Sequence, residues 1–294
     1  MILITGATGQ VGRALVEEAI SRGLEFMAVS RPEFDFEKLE TVDACVTQAK
    51  PDLVINAAAY TEVDAAETNQ EAAKKGNHTG PERLAQLCAA AEIPLIHIST
   101  DYVFDGVKGE PYVETDPTNP TTVYGLTKRD GENAMLATGC KVVILRTSWV
   151  YAPYGKNFVR TMLNAAQKMP VLRVVADQRG TPTAAPDLAR ALLDIARKIS
   201  DDGWNDTYRG IFHATNAGET TWHGFAVAIF EQVAELGQPI PQVDTITTAD
   251  WPTPARRPAD SRLDCARLTQ IFGLSMPHWL QSLQQILRRL TSHV

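Results

Sequence analysis

The stretch Ile2-Leu3-Ile4-Thr5-Gly6-Ala7-Thr8-Gly9-Gln10-Val11-Gly12 decides the fold. Ile2–Ile4 reads as a short buried strand, a glycine turn follows at once, and Val11–Arg22 has the spacing of an amphipathic helix ending at Gly23. Glycines between a strand and a helix let backbone approach a pyrophosphate closely. The helix start then offers N–H groups that have no intrahelical partner. The spacing is GxxGxxG rather than GxGxxG, so the setting between strand and helix carries more weight than the glycines alone. Gly6, Gly9, Gln10, Val11 and Gly12 are thus candidate cofactor residues.

The alternation continues outward. Glu25–Val29, Leu53–Ile55, Leu95–Ile98 and Val142–Leu145 are short strand-like runs, and Leu39–Ala49 and Glu82–Ala91 are helical between them. Continuous apolar strands separated by helices predict a parallel sheet covered on both faces. The expected class is α/β: a Rossmann-type doubly wound parallel sheet with a smaller, irregular α/β C-terminal substrate domain. Residues 1–150 form the expected dinucleotide-binding domain, with a return to it around 171–199. Residues 151–170 and 200–294 form the expected substrate domain, because Pro170, Pro182, Pro186 and the stretch Pro239–Pro258 break the earlier pattern. Val103–Pro120 reads as a long loop, and loops of that length inside a compact domain are usually functional.

Composition narrows the class. The 294 residues are 44% hydrophobic and 21% charged, as in an ordinary globular protein, with a formal charge of −7. That balance predicts no partnership with nucleic acid or an anionic membrane. Four cysteines, Cys45, Cys88, Cys140 and Cys265, have neither zinc nor disulfide-framework spacing, and the six histidines show no HExxH. No bound metal is expected. No apolar run approaches the ~20 residues of a membrane helix, and no signal-peptide pattern opens the chain. The expected location is cytoplasmic, with reduced thiols.

Tyr124-Gly125-Leu126-Thr127-Lys128 puts a phenol and an ammonium on one helix face. A free tyrosine titrates near pH 10, so it is a reluctant acid–base group. A neighbouring lysine cation, helped by an oxidised nicotinamide, favours the phenolate. Ser99-Thr100 follows the strand Leu95–Ile98, so the Thr100 hydroxyl stands at a strand's carboxyl end, where ligands of open α/β sheets bind. Tyr124, Lys128 and Thr100 are the catalytic candidates. The second strand runs into Ser30-Arg31 with no acid at its end. A carboxylate there would hold ribose hydroxyls and repel a 2′-phosphate, whereas Arg31 and Ser30 suit that phosphate. NADPH is therefore expected in preference to NADH.

With these residues in place, the chain resembles the extended short-chain dehydrogenase/reductase family over nearly its whole length. The motifs are Ser99–Gly106, Pro111–Asp116, Tyr124–Lys128, Arg146–Tyr151, Asn157-Phe158, Asp177–Thr183, and Arg257-Pro258 with Ser261. The resemblance implies reduction of the C4 keto group of dTDP-4-dehydro-6-deoxy-L-mannose to dTDP-L-rhamnose, with hydride from NADPH or NADH. It implies Tyr124 as proton donor, and Lys128 as the group that lowers its pKa and holds the nicotinamide ribose. Asp35 and Phe36 match an adenine-side contact, and Ala57, Ala58, Ala59, Tyr60 and Thr61 run along the cofactor. Thr100, Asp101, Tyr102, Trp149, Asn157 and Arg257 match substrate positions.

Several alternatives share the scaffold. A 4,6-dehydratase needs a carboxylate after Asp101, where Tyr102 stands, which disfavours it. An epimerase or a reductase of another nucleotide sugar remains open, as does a non-catalytic regulatory subunit; the intact Thr100/Tyr124/Lys128 set speaks for catalysis. Some family members bridge a magnesium ion between two copies through an acid early in the first helix. The matching residue here is Ala14, so a monomer or weak homodimer is expected.

Overall fold

A computed structural model describes residues 1–234 and 240–291. The order is β1 (Ile2–Thr5), α1 (Gln10–Ser21), β2 (Phe26–Val29), α2 (Leu39–Ala49), β3 (Leu53–Asn56), α3 (Val63–Ala66) and α4 (Gln70–Lys74). A π-helical turn, Lys75–Thr79, leads into α5 (Gly80–Ala90), then β4 (Leu95–Thr100), α6 (Val123–Ala137) and β5 (Val142–Thr147). The second half holds β6 (Val150–Tyr151), α7 (Phe158–Ala166), β7 (Val171–Val175), β8 (Arg179–Gly180), β9 (Thr183–Ala184) and α8 (Ala185–Asp202). It ends with β10 (Gly210–His213), β11 (Thr220–Thr221), α9 (Trp222–Ala234), β12 (Gln242–Ile246), α10 (Ala266–Phe272) and α11 (Trp279–Thr291).

Six strands form a parallel sheet in the order β10-β5-β4-β3-β1-β2. Successive residues feed opposite faces: Ile4, Ile55, Ile96 and Leu145 pack with α1, α8 and α10, while Leu3, Val54, Leu95 and Ile144 pack with α2, α5 and α6. The doubly wound α/β expectation holds. Strand order reverses between β1 and β3, which opens a crevice at their carboxyl ends.

Two segments depart from the expected boundaries. β7, placed by sequence in the return to the main sheet, pairs in parallel with β12 instead. Its alternating exposure suits a strand covered on one face by α9, whereas main-sheet strands such as β3 are buried at every position. The return consists of α8, packed on α1, and β10, which falls within 200–294 and completes the sheet beside β5. A separate core unites α7, α9, α11, β7 and β12 around Phe225, Ile229 and Leu283.

The 103–120 segment is pinned rather than loose. Phe104 stacks on Tyr112 at 4.1 Å, and the Tyr112 N–H donates to the Arg262 carbonyl at 2.8 Å. It therefore ties the end of β4 to the chain near Ser261. Among the described residues, no helix is long and apolar enough to cross a membrane.

Candidate active site

The phosphate turn is built by close approach. Gly6 adopts φ +69°, and a Cβ there would meet the Ala58 nitrogen at 2.5 Å. A Cβ on Gly12 would lie 2.0 Å from the Gly6 carbonyl oxygen, so α1 can press onto the turn only with glycine at that position. Gly9 caps α1 without a side chain, which leaves the first N–H groups of the helix free for an anion. The Thr8 N–H and hydroxyl reach Ser30 Oγ at 3.0 and 3.2 Å, so Ser30 braces the turn while its own proton remains for a ligand. Arg31 beside it is exposed.

The row Ala57–Tyr60 is half-buried at the end of β3, with Thr61 exposed beyond it. Asn77, on the π-helical turn, accepts from the Tyr60 N–H and donates to the Tyr60 carbonyl, both at 3.0 Å, and donates to Thr127 Oγ1 at 3.2 Å. This buried amide ties the edge of the cofactor crevice to α6, and sequence reading missed it because an asparagine in a helical stretch has no motif. The Phe36 ring is buried in the core against Gly80 and Phe34. What Phe36 offers a cofactor is therefore backbone rather than its ring. Asp35 uses its carboxylate on the Glu37 N–H at 3.1 Å.

β4 and α6 bring the catalytic candidates together. Thr122 caps α6 by accepting from the Gly125 N–H at 3.0 Å. A Cβ on Gly125 would lie 2.0 Å from the Tyr102 carbonyl oxygen, so the glycine inside the Tyr124–Lys128 motif lets α6 seat against residues 101–103. Thr100 Oγ1 donates to Asp101 Oδ1 at 3.0 Å and accepts from the Tyr102 N–H at 3.2 Å. Tyr124 packs edge-on to Tyr102, ring centres 5.5 Å apart. Burial pushes its phenol up to about 12, against the opposing effect of the Thr100 hydroxyl. Lys128 is 2% exposed and donates to the Ile98 carbonyl at 2.6 Å. Burial pulls its ammonium down to about 8, with Glu132 acting the other way. Burial also pushes Asp101 up to about 6, with the nearby Ser261 and Thr100 hydroxyls acting the other way, and its Oδ2 is buried without a partner.

Three substrate candidates take different positions. Trp149, in the left-handed region at φ 46°, stacks on Trp222 with centres 3.6 Å apart and planes 9° from parallel. Gly180 permits this, since a Cβ there would strike the Trp149 ring. Trp222, at the start of α9, was not singled out by sequence because it lies far from every motif. Arg257 Nη2 pairs with Asp64 Oδ2 at 2.7 Å, while its Nη1 is buried without a partner. Asn157 does not present its amide to the crevice. It caps α7 and donates to Gln10 Oε1 at 2.9 Å and to the Ala152 and Tyr154 carbonyls, so it is a strut between the phosphate turn and α7.

Fold and site together define a Rossmann-type short-chain dehydrogenase/reductase. The chain belongs to the RmlD substrate binding domain family, whose model matches residues 1–292. It is 42% identical over 285 residues to a dTDP-4-dehydrorhamnose reductase of Sinorhizobium fredii, covering 97% of this chain and 96% of the relative. The crystal structure of a dTDP-4-dehydrorhamnose reductase from Clostridium acetobutylicum matches with a TM-score of 0.90 at 38% identity, covering 98% of this chain and 99% of that one. The Bacillus anthracis dTDP-4-dehydrorhamnose reductase, solved in complex with NADP, matches with a TM-score of 0.89 at 32% identity, covering 98% of each chain.

Proposed function

We propose that this protein reduces the C4 keto group of dTDP-4-dehydro-6-deoxy-L-mannose to give dTDP-L-rhamnose, using NADPH in preference to NADH. The observation that carries the reading is the joint placement of Thr100, at the carboxyl end of β4, with the buried Tyr124 and Lys128 one turn apart on α6. The crevice fits a dinucleotide, because the close backbone packing at Gly6 and Gly12 sets the turn against the start of α1, whose first N–H groups carry no side-chain cap. Bound there, a reduced nicotinamide supplies the hydride.

The chain's own residues do the rest. Thr100 turns its hydroxyl proton from Asp101 Oδ1 to the keto oxygen, and Tyr124 protonates that oxygen as negative charge develops. Lys128 holds the nicotinamide ribose and stabilises the phenolate left behind. The unpartnered Asp101 Oδ2 accepts from a sugar hydroxyl, and the Trp149 face supports the sugar ring. Arg257 offers its free Nη1 to the nucleotide. The protein acts in the cytoplasm as a monomer or weak homodimer, a state checked by native mass with and without EDTA.

The decisive assay follows NADPH absorbance with the keto sugar and scores the product. Oxidation of NADPH with formation of dTDP-L-rhamnose is expected. Absence of turnover with this substrate, alongside turnover of another 4-keto nucleotide sugar, reassigns the specificity; cofactor binding without any turnover favours a regulatory subunit.

A further inference from the structure

A buried polar rung crosses β1, β3 and β4 and ends at Lys128. Thr5 Oγ1 donates to Asn56 Oδ1 at 2.5 Å, and the Ala58 N–H donates to the same oxygen at 3.1 Å. A backbone N–H can only donate, so the amide orientation is fixed and Asn56 Nδ2 faces His97 Nδ1 at 2.7 Å. That ring nitrogen must accept. Burial first, then the charge of Lys128, holds the His97 imidazole neutral, well below its usual range. A neutral ring that accepts at Nδ1 carries its proton on Nε2, and Nε2 lies 3.3 Å from Lys128 Nζ. An ammonium there sets donor against donor, whereas the lone pair of an amine accepts.

We infer that His97 is a positioning residue that poises Lys128: fixed by Asn56 as the Nε2–H tautomer, it donates to Nζ and favours the uncharged amine. The other groups around Nζ do not cancel this. The Ile98 carbonyl accepts from amine and ammonium alike. Glu132, one turn along α6, favours the ammonium, but Arg146 holds both its oxygens, at 2.9 and 2.6 Å, and Ser99 donates to one of them. On the substrate side stand Tyr124 and Asp101, whose charges act on each other. Lys128 therefore changes charge within the working pH range, where an exposed lysine stays an ammonium.

The inference rests on the catalytic reading of Lys128, yet the tautomer is measured without turnover. Full-length protein carrying 15N-histidine presents six imidazole rings to separate, each with two ring nitrogens, and the His97 pair is assigned by its loss in His97→Gln. An unprotonated Nδ1 with a protonated Nε2 is expected from about pH 6 to 9. The opposite tautomer, or a charged ring, overturns the inference. In the pH profile of kcat, His97→Gln turns a carbonyl to the ammonium and moves the basic limb up by about one pH unit. A drop that is equal at every pH, with the limb unmoved, marks a merely structural role and also overturns it. If the variant does not fold, the tautomer decides alone.

Discussion

Lys128 Nζ stands 2.6 Å from the Ile98 carbonyl oxygen, so the backbone of β4 anchors the ammonium of α6 at the carboxyl end of the sheet. The lysine lies one turn after Tyr124 on the same helix. Lys128→Met removes a charged hydrogen bond worth about 1.5–3 kcal/mol. We expect kcat/KM to fall roughly 10- to 100-fold, divided between a higher cofactor KM and a lower kcat. A loss confined to kcat removes the ribose-holding role.

Tyr124→Phe keeps the ring packed on Tyr102 and deletes only the proton donor. General acid catalysis contributes about 100- to 10,000-fold. Steady-state kcat should fall by that factor, while the dissociation constant for NADPH stays near wild type. Retention of more than about a tenth of turnover, well above that range, shows that water or another group supplies the proton.

The residues that extend the strands are the ones sequence reading cut off. β3, β4 and β5 continue past their apolar runs through Asn56, Ser99-Thr100 and Arg146-Thr147. Periodicity stops at these polar side chains, yet all are buried and, Thr147 apart, paired: Asn56 with Thr5, Ser99 and Arg146 with Glu132, and Thr100 with Asp101. The site is built from such strand ends, so its motifs were legible in Tyr124, Lys128 and Thr100 while the supporting partners were not. His97 read as one more strand residue, and Trp222 and Asn77 join the site only through tertiary contacts.

Trp222 buttresses Trp149 face to face. An aromatic pair adds about 0.5–1.5 kcal/mol beyond its buried area, and loss of the partner lets Trp149 leave its left-handed setting. Trp222→Ala should raise the KM for the sugar nucleotide roughly 2- to 10-fold, with the KM for NADPH unchanged. An equal rise in both constants points to general unfolding rather than a loosened sugar platform.

Asp101 links the site to stability. Its buried carboxyl titrates at about 6, above the ordinary 3.8. A raised carboxyl contributes most when protonated in both states, below the unfolded value, and that contribution is lost as pH rises through the folded value. The span corresponds to about 3 kcal/mol at most. Asp101→Asn, which never ionises, should therefore gain stability relative to wild type between about pH 4 and 7.5, by urea unfolding at each pH. A difference between the two proteins that stays constant with pH would falsify the buried-carboxylate account.

The cofactor preference turns on Arg31. Ser30 braces the phosphate turn through Thr8, which fixes the backbone that precedes the arginine. Arg31 itself is exposed, and no carboxylate of the described residues pairs with it in an ion pair, so its planar fork is free to meet a 2′-phosphate. Asp35, four residues further along the chain, turns its carboxylate to the Glu37 N–H, which leaves it able to tolerate NADH without strongly selecting it. Wild type should therefore show a lower KM for NADPH than for NADH. Arg31→Ala should erode that advantage by about 1.5–3 kcal/mol at most, roughly 10- to 100-fold, leaving the NADH constants nearly unchanged because NADH carries no phosphate there. Equal Michaelis constants in the wild type, or an Arg31→Ala variant with its preference intact, would show that the selection lies elsewhere in the crevice.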